Sequence, residues 1–148
     1  MKLNNIAILL LQVLFCIQVF VVSGQSEERH FLKVKVTNIK KGEGAIRIAA
    51  YSPDQKFLGD EIVDGINAEV TEAGFVIATF ENLRLGTYAL SLYHDENNNG
   101  MLDTNFFGIP KEPYGFSNDA RGTFGPPKYT AAQFEFIKDG QQVEIRVK

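Results

Sequence analysis

The feature that most constrains this chain is a period-two alternation of apolar and polar side chains in short runs closed by glycine, proline, asparagine or aspartate. Leu32, Val34 and Val36 alternate with Lys33, Lys35 and Thr37. Ile46, Ile48 and Ala50 repeat the pattern, as do Tyr88, Leu90 and Leu92, and then Val143, Ile145 and Val147. Successive side chains of an extended strand point to opposite faces, so such runs bury one face and wet the other. No stretch carries a convincing amphipathic-helix period. The expected fold class is all-β: a single antiparallel β-sandwich of about seven strands with immunoglobulin-like or prealbumin-like Greek-key connections.

Finer expectations follow from the punctuation. The glycine-rich residues 41–44 (KGEG) would join the first two runs as a hairpin, and Asp139-Gly140 would turn a second hairpin from Phe134 and Phe136 to Val143. Residues 75–80 (FVIATF) are apolar or β-branched on both faces, which predicts a central strand. Residues 83–88 (LRLGTY) have the form of a Greek-key corner, with the Tyr88 ring inward and its hydroxyl on the turn backbone. Between residues 55 and 74, short strands are expected at Phe57-Leu58, Glu61-Ile62-Val63 and Ala68-Glu69-Val70, separated by turns at Gly59-Asp60 and Asp64-Gly65.

The first 24 residues read as a cleaved secretory signal peptide: Lys2, an apolar run over 6–22, then Val22-Ser23-Gly24 as a small-residue cleavage site. A membrane anchor is the competing reading, but the run is at the short limit for a span of about 20 residues. Cys16 is the only cysteine and lies inside this segment, with Phe15 where a lipoprotein signal wants a small residue. The mature chain therefore has no disulfide, and its stability must come from core burial, backbone pairing or a metal. Residues 25–30 form a polar leader and 31–148 a single domain. The net charge of −3 and the lack of any basic run beyond Lys40-Lys41 disfavour nucleic acid as a partner.

The chemistry-bearing stretch is residues 94–105 (HDENNNGMLDTN). Asp95, Asn97, Asn99, Gly100 and Asp103 fall at positions 1, 3, 5, 6 and 9 of a calcium-loop pattern. A hard cation takes six to eight oxygens at about 2.3–2.6 Å, and alternate side chains along a tight turn can supply them. Met101 would add its backbone carbonyl. Position 12 is Phe106 instead of a bidentate glutamate, so Glu112 is the nearest replacement. A strand precedes the loop, which excludes a helix–loop–helix hand. With two formal charges, Ca2+ affinity would be weak, about 10⁻⁴–10⁻³ M. An asparagine-rich turn that satisfies its own backbone without metal is the competing reading.

The loop opens a longer Gly/Pro/aromatic segment, 94–127, with no clear strand or helix period. Its rings would pack onto the sandwich and pin the segment. Tyr114, Phe116, Phe124 and Tyr129 could alternatively form a platform for sugar or protein. His94 shares the parity of Tyr88, Leu90 and Leu92 and should point inward, bonded to a carbonyl of the long loop. No nucleophile, phosphate loop or catalytic constellation is legible.

The run from His94 to Asp103, the Tyr114-Gly115-Phe116-Ser117-Asn118 segment and Gly125-Pro126-Pro127 resemble the secreted bacterial family catalogued as domain of unknown function 2141. Met101 stands where that family often has lysine, and Pro113 where it often has glycine. The resemblance covers nearly the whole mature chain. It implies a signal peptide, a β-rich domain and an address in the periplasm or cell exterior of a Gram-negative bacterium, and it implies no activity.

The expected function is non-enzymatic: a calcium-stabilised binding or structural module of the cell envelope. Its partner would be a protein or a glycan, with no membrane span after signal cleavage. The alternatives are a carbohydrate-binding module using the loop aromatics, or an enzyme centred on His94.

Overall fold

The computed structural model describes residues 28–148; the expected signal peptide, with Cys16, lies outside the described residues. Eight strands follow in order: β1 (His30–Ile39), β2 (Ala45–Tyr51), β3 (Asp64–Glu69), β4 (Gly74–Leu83), β5 (Gly86–Asp95), β6 (Tyr114–Phe116), β7 (Phe134–Phe136) and β8 (Gln142–Arg146). A 3₁₀ turn (Ser117–Asp119) and one helical turn, α1 (Tyr129–Ala132), complete the regular structure.

The strands form an all-β sandwich. One sheet has the order β4-β1-β8. The other runs β3-β2-β5, with β6 and β7 sharing the far edge of β5. Alternation decides the core as expected. Leu32, Val34 and Val36 of β1 meet Ile46, Ile48 and Ala50 of β2 and Tyr88, Leu90 and Leu92 of β5 in one cluster, closed by Phe80, Phe136, Ile145 and Val147. Each such side chain, fully buried, contributes about 1.5–3 kcal/mol. The corner at Tyr88 also forms: its ring is buried and its hydroxyl donates to the Arg84 carbonyl at 3.0 Å.

Neither expected hairpin forms. β1 pairs with β4 and β8, whereas β2 pairs with β3 and β5, so the 40–44 link crosses between sheets. Its glycines serve close approach instead. A Cβ on Gly42 would stand 2.8 Å from Glu72 Cα, and one on Gly44 (φ 82°) only 2.2 Å from the Asp95 carbonyl oxygen. Likewise β7 pairs with β5, while β8 lies parallel to β1, so the sandwich is not wholly antiparallel. Asp139 and Gly140 bind back to β1: the Phe31 N–H donates to Asp139 Oδ1, and the Gly140 N–H to the Phe31 carbonyl.

The 75–80 run lies on an edge strand, β4, and β1 is the centre of that sheet. Ala78 and Phe80 face the core, whereas Phe75 and Ile77 are more than half exposed on the outer face. The Lys35 ammonium stands 5.7 Å from the Phe75 ring centroid. Asp64-Gly65, expected as a turn, begins β3, because the pairing of Ala50 with Asp64 and Ala49 with Gly65 continues the β2 ladder. The 94–127 segment is not structureless: β6, the 3₁₀ turn and a bridge between Thr104 and Pro110 lie within it. Nor do most of its rings pin it. Phe106 is 97%, Phe107 81% and Phe124 100% exposed, and only Phe116 is buried.

Candidate functional site

β5 delivers His94 and Asp95 side by side, pointing opposite ways. Asp95 is fully buried although it faces away from the core, because the following loop folds back over it. Its Oδ1 accepts the Asn99 N–H at 3.0 Å and its Oδ2 the Gly100 N–H at 2.9 Å. Arg47, carried by the neighbouring strand β2, donates Nε–H to Oδ2 at 2.6 Å. Burial pushes the Asp95 carboxyl upward, but the Arg47 bond and the two backbone N–H groups outweigh it and hold the pKa below its ordinary value.

The turn winds tightly around this carboxylate. Asn98 (φ 57°) and Gly100 (φ 86°) take left-handed conformations. Asn97 Oδ1 accepts the Asn99 N–H at 3.0 Å, and Asn99 Oδ1 accepts the Met101 N–H at 2.8 Å. Tyr93 donates its hydroxyl to the Gly100 carbonyl at 2.9 Å. Both asparagine amides then turn to Asp103, Asn97 Nδ2 at 2.8 Å and Asn99 Nδ2 at 3.1 Å.

Glu112 closes the ring. Only 6% exposed, it accepts the Glu96 N–H on Oε1 and the Asp103 N–H on Oε2, both at 2.9 Å. One carboxylate thus ties the second residue of the loop to the ninth. Lys41 pairs with Glu96 and pins the β1–β2 link to the same place. Beyond it, residues 103–111 form a small projection. The Lys111 N–H donates to the Asp103 carbonyl, and Asn105 Oδ1 accepts the N–H groups of Phe107 and Ile109. Phe106 and Phe107 stand at its tip, T-shaped with centroids 5.5 Å apart.

Asp95, Asn97, Asn99, Asp103 and Glu112 therefore share one clasp. Met101 enters through its backbone N–H, with its side chain 67% exposed. The donors are all hard oxygens, which suits calcium or magnesium and not a soft metal. Each carboxylate oxygen has room for two partners. Those of Glu112 carry one backbone bond each, whereas Asp95 Oδ2 already carries two. A cation at the centre would replace the two bonds from asparagine to Asp103. Among the described residues, no group of three or more His, Cys, Asp or Glu side chains is placed to hold a metal ion.

His94 is fully buried and faces the core. Its Nε2 lies 2.7 Å from the carbonyl oxygen of Glu43, in the β1–β2 link and not in the long loop. A carbonyl only accepts, so Nε2 carries the proton and Nδ1 faces the interior without a hydrogen-bond partner.

The four candidate surface rings do not make a coplanar row. Phe116 is buried, Tyr114 meets it edge-on at 72°, and Tyr129 packs against Phe57. Phe124 is isolated from them in full solvent. Sequence reasoning missed a groove of about 670 Å³ on the outer face of the second sheet, walled by Leu58, Leu102, Phe107, Ile109, Tyr114 and Pro126. Its walls come from three separate segments, and no local pattern joins them.

The model of a family described as "Uncharacterized protein conserved in bacteria (DUF2141)" matches residues 34–145. The chain belongs to that family. The DUF2141 match begins inside β1 and ends inside β8, so it takes in both sheets, the clasp and the groove. No curated protein and no solved structure matches the chain. Among the described residues, no helix is long and apolar enough to cross a membrane.

Proposed function

We propose that this DUF2141 domain is a secreted, non-catalytic binding or structural module of the cell envelope, braced by calcium at the Asp95–Glu112 clasp. The observation that carries the proposal is Glu112. It is the nearest carboxylate in the sequence that could replace the missing twelfth-position ligand, and it ties both limbs of the loop through two backbone N–H groups. The side-chain oxygens of Asp95, Asn97, Asn99 and Asp103 surround the same turn. The signal-like leader supports export, where millimolar calcium makes a weak site useful.

Calcium would bind the native clasp and not the unfolded chain, and so raise stability. At a free concentration ten to a hundred times Kd the gain is about 1.4–2.7 kcal/mol. Thermal melts in calcium and in chelator test this. The midpoint should rise by several degrees in calcium, and Glu112→Gln should remove the rise. An unchanged midpoint in the wild-type protein would sink the proposal.

A further inference from the structure

The groove has a neighbour of opposite character. A smaller cavity of about 130 Å³ is bordered by Arg121, Arg146 and Lys148, with Asp119 the only acidic side chain on its wall. Arg146 Nη2 bonds to Asp119 at 3.3 Å. Neither Arg121 nor Lys148 has a carboxylate partner among the described residues. The Lys148 ammonium is held below its ordinary pKa, first by partial desolvation and then by the repulsion of Arg121 and Arg146, which Asp119 only partly offsets. Three cationic side chains and one side-chain carboxylate thus border this cavity.

Tyr114, Phe116, Gly122 and Gly125 line both cavities. The two cavities therefore adjoin along the edge strand β6 and the 122–125 turn. Tyr114 is fixed between the two, its N–H and carbonyl paired with the Lys148 carbonyl and N–H. Gly122 keeps the turn closed: a Cβ there would stand 2.3 Å from the Gly125 carbonyl oxygen. The larger cavity is mainly apolar and within the usual size for a small-molecule site, about 300–1,000 Å³. An apolar groove beside unpaired cations complements a molecule that is apolar along its length and anionic at one end.

We infer that the groove takes a single-chain carboxylate amphiphile, its hydrocarbon tail between Ile109, Leu102 and Tyr114 and its carboxylate on Arg121 and Lys148. This rests on the domain being a binding module and adds the class of ligand. Water-free contact with the tail supplies affinity, and the cations select the charge of the head. Each further buried methylene should tighten binding about fourfold.

Calorimetric titration of the purified protein with decanoate, hexanoate, acetate, decanol and decyltrimethylammonium, all below micelle-forming concentrations, tests the assignment. Decanoate should bind at least tenfold tighter than decanol or the cation, and affinity should fall steeply from decanoate to hexanoate to acetate. Arg121→Gln with Lys148→Gln should abolish the preference for decanoate over decanol. Ile109→Asp, at an exposed position that the fold does not need, should weaken decanoate and decanol alike. Equal binding of the three ten-carbon probes, acetate as tight as decanoate, or binding to anionic vesicles without binding of free decanoate would each overturn it. Run in calcium and in chelator, the titration separates the two proposals. A calcium-shifted melt without decanoate binding removes the amphiphile alone, and decanoate binding without a calcium shift removes the calcium brace alone.

Discussion

Asp95 is buried and still charged because three donors from two pieces of chain bond it: Arg47 from β2 and the N–H groups of Asn99 and Gly100 from the loop. Its folded pKa is depressed, so its stabilising contribution is complete above the unfolded carboxyl value of about 3.9 and is lost as pH falls through the lower folded value. Urea unfolding in chelator from pH 7 down to pH 2 should show that loss, and Asp95→Asn should flatten it while costing about 1–3 kcal/mol at pH 7. The estimate is below that for a fully buried ion pair because the Arg47 side chain is 30% exposed. Gly44 makes a sharper steric prediction. Gly44→Ala adds a Cβ against the Asp95 carbonyl at a positive φ, and chemical denaturation should register a loss on the order of 2–3 kcal/mol. Much at this scale was legible in the sequence. Alternation placed Leu32, Ile46, Leu90, Ile145 and His94 inward, and turn chemistry placed the Asp95 clasp. The partner of His94 was not legible, because Glu43 lies 51 residues away and the contact is purely tertiary.

Elements were harder to read than residues, for a physical reason. Period-two alternation says which face of a strand is buried, but not which strand lies beside it. β1 and β2 bury faces of the same kind toward the same core from opposite sheets. A glycine turn between them is equally consistent with a hairpin and with a crossing. The β7 and β8 pair misleads in the same way, and the parallel pairing of β8 with β1 left no local trace. Apolar residues on both faces of β4 suggested a central strand, whereas its outer face is open to water. That difference is testable by denaturation. Phe75→Lys should change stability by no more than about 0.5 kcal/mol, as is usual at exposed positions. Phe80→Ala, on the same strand but 1% exposed, should cost about 3–5 kcal/mol. Comparable losses for the two would mean that β4 is covered on both faces.

For the whole molecule, the sandwich supplies a rigid frame and the function is proposed at its rim. The clasp grows from the end of β5, stands next to the Phe106–Phe107 projection and forms one wall of the groove through Leu102. An ion that stiffened the clasp would therefore fix that wall. Fold class and clasp could be read from the chain because each depends on neighbours in sequence. The groove and the cationic cavity could not, because Leu58, Ile109, Arg121 and Lys148 meet only after the strands have paired. The central claim, a cation held by this clasp, is tested most directly by following backbone amide resonances during a calcium titration. The N–H signals of Glu96, Asn99, Gly100, Met101 and Asp103 should move together and saturate with one dissociation constant of about 10⁻⁴–10⁻³ M, while those of β1 and β4 stay in place. Amide signals of the clasp that remain unmoved at 10 mM calcium, about ten times the weakest Kd expected, would contradict the account.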